Sequence, residues 1–211
     1  MAMKEIKLKK CKVCSQKFVL ERFNQQTCDY KCAIQLAKNK QKEKEQKEWR
    51  AEKAILKDKL KTLSDYAKEL QKEVNTIVRL IDKDTQCIST LKPLNNKFDA
   101  GHFYSVGSNP SLRFHLDNIH AQSVYANQYL SGDQMNYLNG LSDVYGIDYK
   151  DYVISLKSIY KVLKLSIDEM KEKITISRGI IKWLKLQDRK FTIKERIYFR
   201  NKFNNEIGIY N

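Results

Sequence analysis

Four of the five cysteines stand at Cys11, Cys14, Cys28 and Cys32, a C-x2-C-x13-C-x3-C arrangement that restricts the amino-terminal fold more than any other feature of the chain. No export signal is read at the amino terminus, so the thiols are expected in a reducing compartment, where two pairs at knuckle spacing share a tetrahedral metal rather than form disulfides. The reading is a structural zinc site, one ion per chain. Segments below ~40 residues do not fold on burial alone, and Phe18, Val19 and Phe23 are the apolar residues available as a cap. Four thiolates leave the metal no open position for catalysis. The site's expected role is to present Lys9, Lys10, Lys12, Lys17 and Arg22 to a phosphate backbone or to a protein partner.

Charge is distributed in blocks. Residues 1–62 carry 18 Lys/Arg against 8 Asp/Glu, residues 63–156 carry 8 against 11, and residues 157–211 carry 14 against 6, within a net charge of +15. Basic flanks of this kind suit a polyanion such as nucleic acid, and lysine-rich helices that are merely well solvated are the plain alternative. No apolar run approaches the roughly 20 residues that span a bilayer, so a soluble, intracellular protein without a membrane partner is expected. From Ala33 to Leu63 there is neither Gly nor Pro, and Lys, Glu, Gln and Ala predominate. That composition predicts a helix of about 30 residues, roughly 45 Å long. Its apolar residues, Trp49, Ile55, Leu56 and Leu60, are too sparse for a core stripe, so it reads as a solvated spacer. Tyr66, Leu70, Val74, Ile77, Val78 and Ile81 fall on one face of an amphipathic helix over 64–82. Lone Cys87 reads as a small buried hydrophobe.

All three histidines, His102, His115 and His120, lie between Phe98 and Asp133 with Asp99, Asp117, Asn118 and Asn127. The window reads as a β-hairpin and a helix: an extended run over 97–104, a turn at 107–110, a second extended run over 111–115, and a helix opened by Asp117 or Asn118 and closed by Gly132. Four helices follow, over 134–145, 148–165, 166–186 and 192–204. Ser166 and Glu169 form a capping box for the third. Arg189, Lys190, Lys194, Arg196, Arg200 and Lys202 suggest another DNA-contacting arm, and a helix hairpin that merely packs with a charged outer face is the alternative.

Asp99-Ala100-Gly101-His102-Phe103, Leu112-Arg113-Phe114, and Asp117-Asn118-Ile119-His120-Ala121-Gln122 with Asn127 and Ser131-Gly132 resemble the NinG/Rap family of phage recombination endonucleases, which belongs to the HNH or His-Me finger nucleases. The resemblance covers about residues 8–187. It implies an α+β, mostly helical fold made of a four-cysteine zinc knuckle (1–36), a charged helical spacer (37–63), an amphipathic helix with a ββα-metal core (64–133) and a basic helical region (134–211). It also implies metal-dependent cleavage of branched or double-stranded DNA, Holliday junctions and D-loops included, in the cytoplasm of a phage's or prophage's bacterial host.

Residue by residue, the resemblance makes His102 the general base, Asn118 the residue that orients its ring, and Asn127 a ligand of Mg²⁺ or Mn²⁺. Gly101 stands where relatives often carry Asp or His, and Asp99, on the same strand face about 6.6 Å away, is the substitute metal ligand or else closes a turn. His120 is a phosphate-contact candidate or a buried structural histidine, His115 is surface decoration, and Arg113 is a phosphate contact or packing. The family often braces this unit with a second zinc site, of which the chain keeps only Cys87; Thr90, Ser123 and Ala126 occupy the other three positions. Phe103, Phe114, Val124 and Tyr125 are then expected to brace the unit by packing. Two symmetric nicks in a junction imply a homodimer. A DNA-binding accessory protein with an inactive core is the alternative.

Overall fold

The structure, a computed structural model, describes residues 8–94 and 97–210 and divides into two compact units at 61/62. The first unit holds β1 (Leu8–Lys10), β2 (Lys17–Val19) and α1 (Tyr30–Lys59). β1 and β2 form an antiparallel hairpin, and Ser15 at φ 62° makes the turn after the first thiol pair. Asp29 caps α1 by accepting the Cys32 N–H, so the second thiol pair sits on a helix start. No residue of α1 is buried, consistent with a solvated helix.

The second unit opens with α2 (Leu63–Ile81), whose capping box uses Thr62 and Asp65, two residues before the start read from Ser64. Its buried stripe is the predicted one, with Ala67 added. β3 (Phe98–His102) pairs antiparallel with β4 (Ile119–Ser123), setting His102 opposite Ile119, Gly101 opposite His120 and Asp99 opposite Gln122. α3 (Gln134–Tyr145), α4 (Ile147–Ile159), α5 (Ile167–Gln187) and α6 (Ile193–Ile207) complete the unit.

The second strand is therefore not residues 111–115. Pro110 starts a 3₁₀ turn over Pro110–Leu112, a second 3₁₀ turn covers Leu116–Asn118, and the strand begins only at Ile119. The helix expected from Asp117 or Asn118 to Gly132 is likewise replaced, by β4 and a five-residue π-helical turn, Tyr125–Tyr129.

Strand alternation divides the hairpin into two faces. Ala100, Ile119 and the α2 stripe share one apolar cluster with α5 and α6. Asp99, Gly101, His120 and Gln122 face the other way, where Phe103, Leu112 and the buried side of α3 and α4 form a second cluster.

α6 does not project as a basic arm. Arg200 is 0% exposed and lies 2.6 Å from Asp82 Oδ2, Arg196 is buried 3.8 Å from Asp82 Oδ1, and Asn204 donates to Asp117 Oδ2 at 2.8 Å. These charges close the core because Asp82 and Asp117, buried at the hairpin's edge, need partners there.

Candidate active site and metal centres

The four amino-terminal sulfurs lie within 4.8 Å of one another, with Cys14 and Cys28 3.5 Å and Cys28 and Cys32 3.7 Å apart. Tetrahedral zinc with Zn–S bonds of ~2.3 Å sets its ligands about 3.8 Å apart, so the donor set fits. Burial opposes the Cys11 thiolate, but the N–H groups of Cys14, Val13 and Cys28 outweigh it and hold the pKa down to about 6. Cys28 is pushed up to about 11, first by its contact with Cys14. Lys10, Lys12, Lys17 and Arg22 are exposed around the hairpin and Lys9 is half-buried. Phe18 is half-buried, whereas Val19 and Phe23 point to solvent and cap nothing. Backbone bonds hold the knuckle instead: Cys11 N–H to the Gln16 carbonyl and Lys12 N–H to the Gln26 carbonyl.

At the end of β3 the His102 ring points toward α2. Its Nε2 is 3.0 Å from the Arg113 carbonyl and 3.4 Å from Gln71 Nε2. A carbonyl only accepts, so Nε2 carries the proton and Nδ1 keeps its lone pair, with no partner among the described residues. Burial lowers the His102 pKa, which keeps the ring neutral at pH 7. Arg113 Nε donates to Gln71 Oε1 at 3.1 Å, and no carboxylate faces its guanidinium among the described residues. No hydrogen bond joins the Asn118 side chain to His102 among the described residues. The Asn118 side chain ties the connecting loop by accepting the Tyr104 N–H and donating to the Tyr104 and Leu112 carbonyls.

Asp99 lies on the opposite face. Asn127 Nδ2 and Gln128 Nε2 both donate to its Oδ2, at 2.9 and 2.8 Å. The structure thus joins Asp99 with Asn127, and His102 with Arg113 and Gln71, but no hydrogen bond joins the two clusters among the described residues. Sequence reasoning missed Gln71, one turn after Ala67 on the buried side of α2, and Gln128. It also passed over Gln122, which is 0% exposed; Gln122 Nε2 donates to Ser89 Oγ and the Gly132 carbonyl, and its Oε1 has no partner.

The other two histidines are structural. His120 is on β4, not on a helix, and is 1% exposed; its Nδ1 is 3.0 Å from Tyr137 Oη and its Nε2 3.1 Å from Tyr149 Oη. It has no nitrogen left for a phosphate or a proton-transfer step. His115 is equally buried, beside the Tyr160 and Tyr210 rings, and accepts the Asp117 N–H through Nδ1. Burial drives its pKa down to about 4. Around Cys87, its Sγ accepts the Ser123 N–H and Ser123 Oγ accepts the Ala126 N–H, each at 3.2 Å. These hydrogen bonds tether the start of the turn that carries Asn127, while Phe114 and Phe103 are buried in the two apolar clusters and Tyr125 is exposed.

The protein-family model described as "Bacteriophage Lambda NinG protein" matches residues 3–201. The chain belongs to the NinG family. "Protein ninG" of Enterobacteria phage H19B is 34% identical over 143 residues, covering 61% of this chain and 71% of the relative. "Protein ninG" of Salmonella phage P22 is 38% identical over 96 residues, 46% of this chain and 47% of the relative. That of Escherichia phage lambda is 40% identical over 78 residues, 37% of this chain and 38% of the relative. No solved structure matches the chain. Among the described residues of this NinG-family chain, no helix is long and apolar enough to cross a membrane.

Proposed function

We propose that this chain is a metal-dependent endonuclease of phage recombination that hydrolyses phosphodiesters in branched DNA. The observation that carries the reading is the state of His102: a neutral ring with one nitrogen tied to the Arg113 carbonyl and the other unpartnered at the end of a strand. That is the condition of a general base for water. The Arg113 guanidinium, free of any acidic partner among the described residues, meets the attacked phosphate, and Gln71 fixes its direction. Asn118 keeps the loop between the strands closed so that the Arg113 carbonyl stays in place.

Asp99 and Asn127 fit a hard divalent cation such as Mg²⁺ or Mn²⁺. Among the described residues the carboxylate is met by neutral amides, and an amide that turns over presents oxygen instead of N–H. Such a cation, when bound, stabilises negative charge on the phosphate and the departing 3′ oxygen. Because Asp99 and His102 occupy opposite faces three residues apart, about 10 Å along the strand, the DNA strand has to pass around the carboxyl end of β3 to meet both. The knuckle lysines and Arg22 hold the flanking duplex, and a homodimer supplies the second nick of a junction.

The test is cleavage of a labelled four-way junction and a matched duplex with Mg²⁺, Mn²⁺ or EDTA. The expected result is metal-dependent, junction-preferring nicking that falls about 10²–10⁴-fold in His102→Ala while binding persists. Binding without cleavage under every metal refutes the enzyme. It supports the second reading, a DNA-binding accessory protein, which the separation of the His102 and Asp99 clusters favours.

A further inference from the structure

Gly101 occupies the position just before the proposed base, and the space its side chain would fill is already taken. A Cβ built there collides with the carboxamide oxygen of Gln122, the residue that reaches across from β4. Gly101 has ordinary strand backbone, and the three atoms nearest to that Cβ all belong to Gln122. The orientation of the Gln122 amide is fixed. The Gly132 carbonyl, 2.6 Å away, can only accept, so it selects the –NH₂ end, and Ser89 Oγ takes the second N–H at 2.7 Å. Oε1 is therefore held toward Gly101, fully buried and without a donor.

A buried acceptor left empty destabilises the fold that holds it. Nothing in the hairpin compensates it. Directly across the strand pair stands Asp99, on the same face, with both neighbouring amides on Oδ2 and no partner for Oδ1 among the described residues. Facing residues of an antiparallel pair have Cβ atoms about 5 Å apart, within the reach of two side chains that share one cation.

We infer that Gln122 Oε1 is a protein ligand of the divalent cation, standing in for the side chain that Gly101 lacks, with Asp99 and Asn127 completing an all-oxygen set. A neutral carboxamide in place of a carboxylate lowers the site's negative charge by one, so the cation is held more loosely and by more water. The inference takes its cation from the nuclease reading, but the ligand set is read without any activity.

The probe is Mn²⁺, followed by electron paramagnetic resonance on the zinc-loaded full chain. One Mn²⁺ per chain is expected, with affinity reduced ~10-fold or more in Asp99→Ala and in Gln122→Met. Gly101→Ala, which keeps every Gln122 atom but displaces Oε1, gives a similar loss. Gly101→Asp combined with Gln122→Ala restores binding, because the carboxylate then enters the vacated space; if that pair does not fold by thermal melting, the two single variants decide. No Mn²⁺ on the wild type overturns the site. Loss in Asp99→Ala with unchanged affinity in both Gln122→Met and Gly101→Ala overturns Gln122, as a buried water at Oε1 would produce. Mn²⁺ binding as described without junction cleavage upholds the ligand set and removes the nuclease reading. Cleavage that requires His102, with Mn²⁺ affinity indifferent to Gln122, does the reverse.

Discussion

Replacing Asp117 by Asn asks where the protons lie in the buried chain of groups beneath the hairpin. Asp117 Oδ1 is 2.8 Å from Tyr149 Oη, Tyr149 Oη 3.1 Å from His120 Nε2, His120 Nδ1 3.0 Å from Tyr137 Oη, and Tyr137 donates to the Gly101 carbonyl at 2.9 Å. Tyr137 has one proton and gives it to Gly101, so His120 Nδ1 must donate. Two arrangements then remain: a protonated Asp117 that donates through Tyr149 to a neutral His120, or an Asp117 carboxylate that faces an imidazolium. Burial raises the Asp117 pKa, and burial with the charges of Arg200 and Arg196 lowers that of His120. Both directions favour the neutral arrangement, against the pull of Arg200 on Asp117. The amide introduced by Asp117→Asn would then keep it, its –NH₂ donating to Tyr149 and its oxygen accepting from Asn204, at a cost within ~1 kcal/mol, the size of one neutral hydrogen bond. That is about 2–4 °C for a unit of this size. Breaking a buried ion pair instead costs about 3–5 kcal/mol, about 6–20 °C at the same scaling. The assay is thermal unfolding, with infrared spectroscopy for a protonated carboxyl band that Asp117→Asn removes. Tyr149→Phe, which strands Asp117 and His120, should lower stability by about 2–6 kcal/mol. A large loss in Asp117→Asn, or no such band, refutes the neutral chain.

His115 makes stability fall in acid. Its pKa drops from the ordinary 6.5 to about 4 on folding, so the folded state binds fewer protons, and the contribution present above pH 6.5 is lost as pH falls toward 4. The loss amounts to ~3 kcal/mol, and His115→Gln should flatten the unfolding free energy across that window; an unchanged slope refutes the assignment. Native mass spectrometry should find one zinc per chain, lost in Cys28→Ser, and a second tightly held zinc would contradict the substituted Cys87 site.

Helices with a clear stripe or cap were legible in the sequence. The 3.6-residue spacing from Tyr66 to Ile81 and the Ser166 capping box specify α2 and α5 without tertiary help. β4 was not: Ile119 to Gln122 alternate apolar and polar, but Asp117 and Asn118 just before them read as a helix start, and the strand they precede reads as the first turn of that helix. Leu112 and Phe114 imitated a strand that Pro110 turns into 3₁₀ structure. His102, Asp99 and Asn127 were found as residue types at a familiar spacing, and the structure brings the last two into contact. Arg196, Arg200 and His115 were misjudged for a common reason. A polar side chain reads as exposed until its partner is known, and their contacts lie on elements distant in sequence. Gln122 carried no signal, since an unpaired acceptor exists only in three dimensions.

Those distant partners also limit how the hairpin can be inherited. Asp82 meets Arg200 118 positions later, Asp117 meets Asn204 87 positions later, and the Phe114 N–H finds Tyr210 Oη 96 positions later. A gene exchange that imported residues 82–130 without α6 would leave buried Asp82 without its Arg200 partner, at a cost of several kcal/mol, and would strip Asp117 of the Asn204 amide. In this chain the motif is not a cassette. It has to be inherited with α6, and crossovers that separate the two select against themselves.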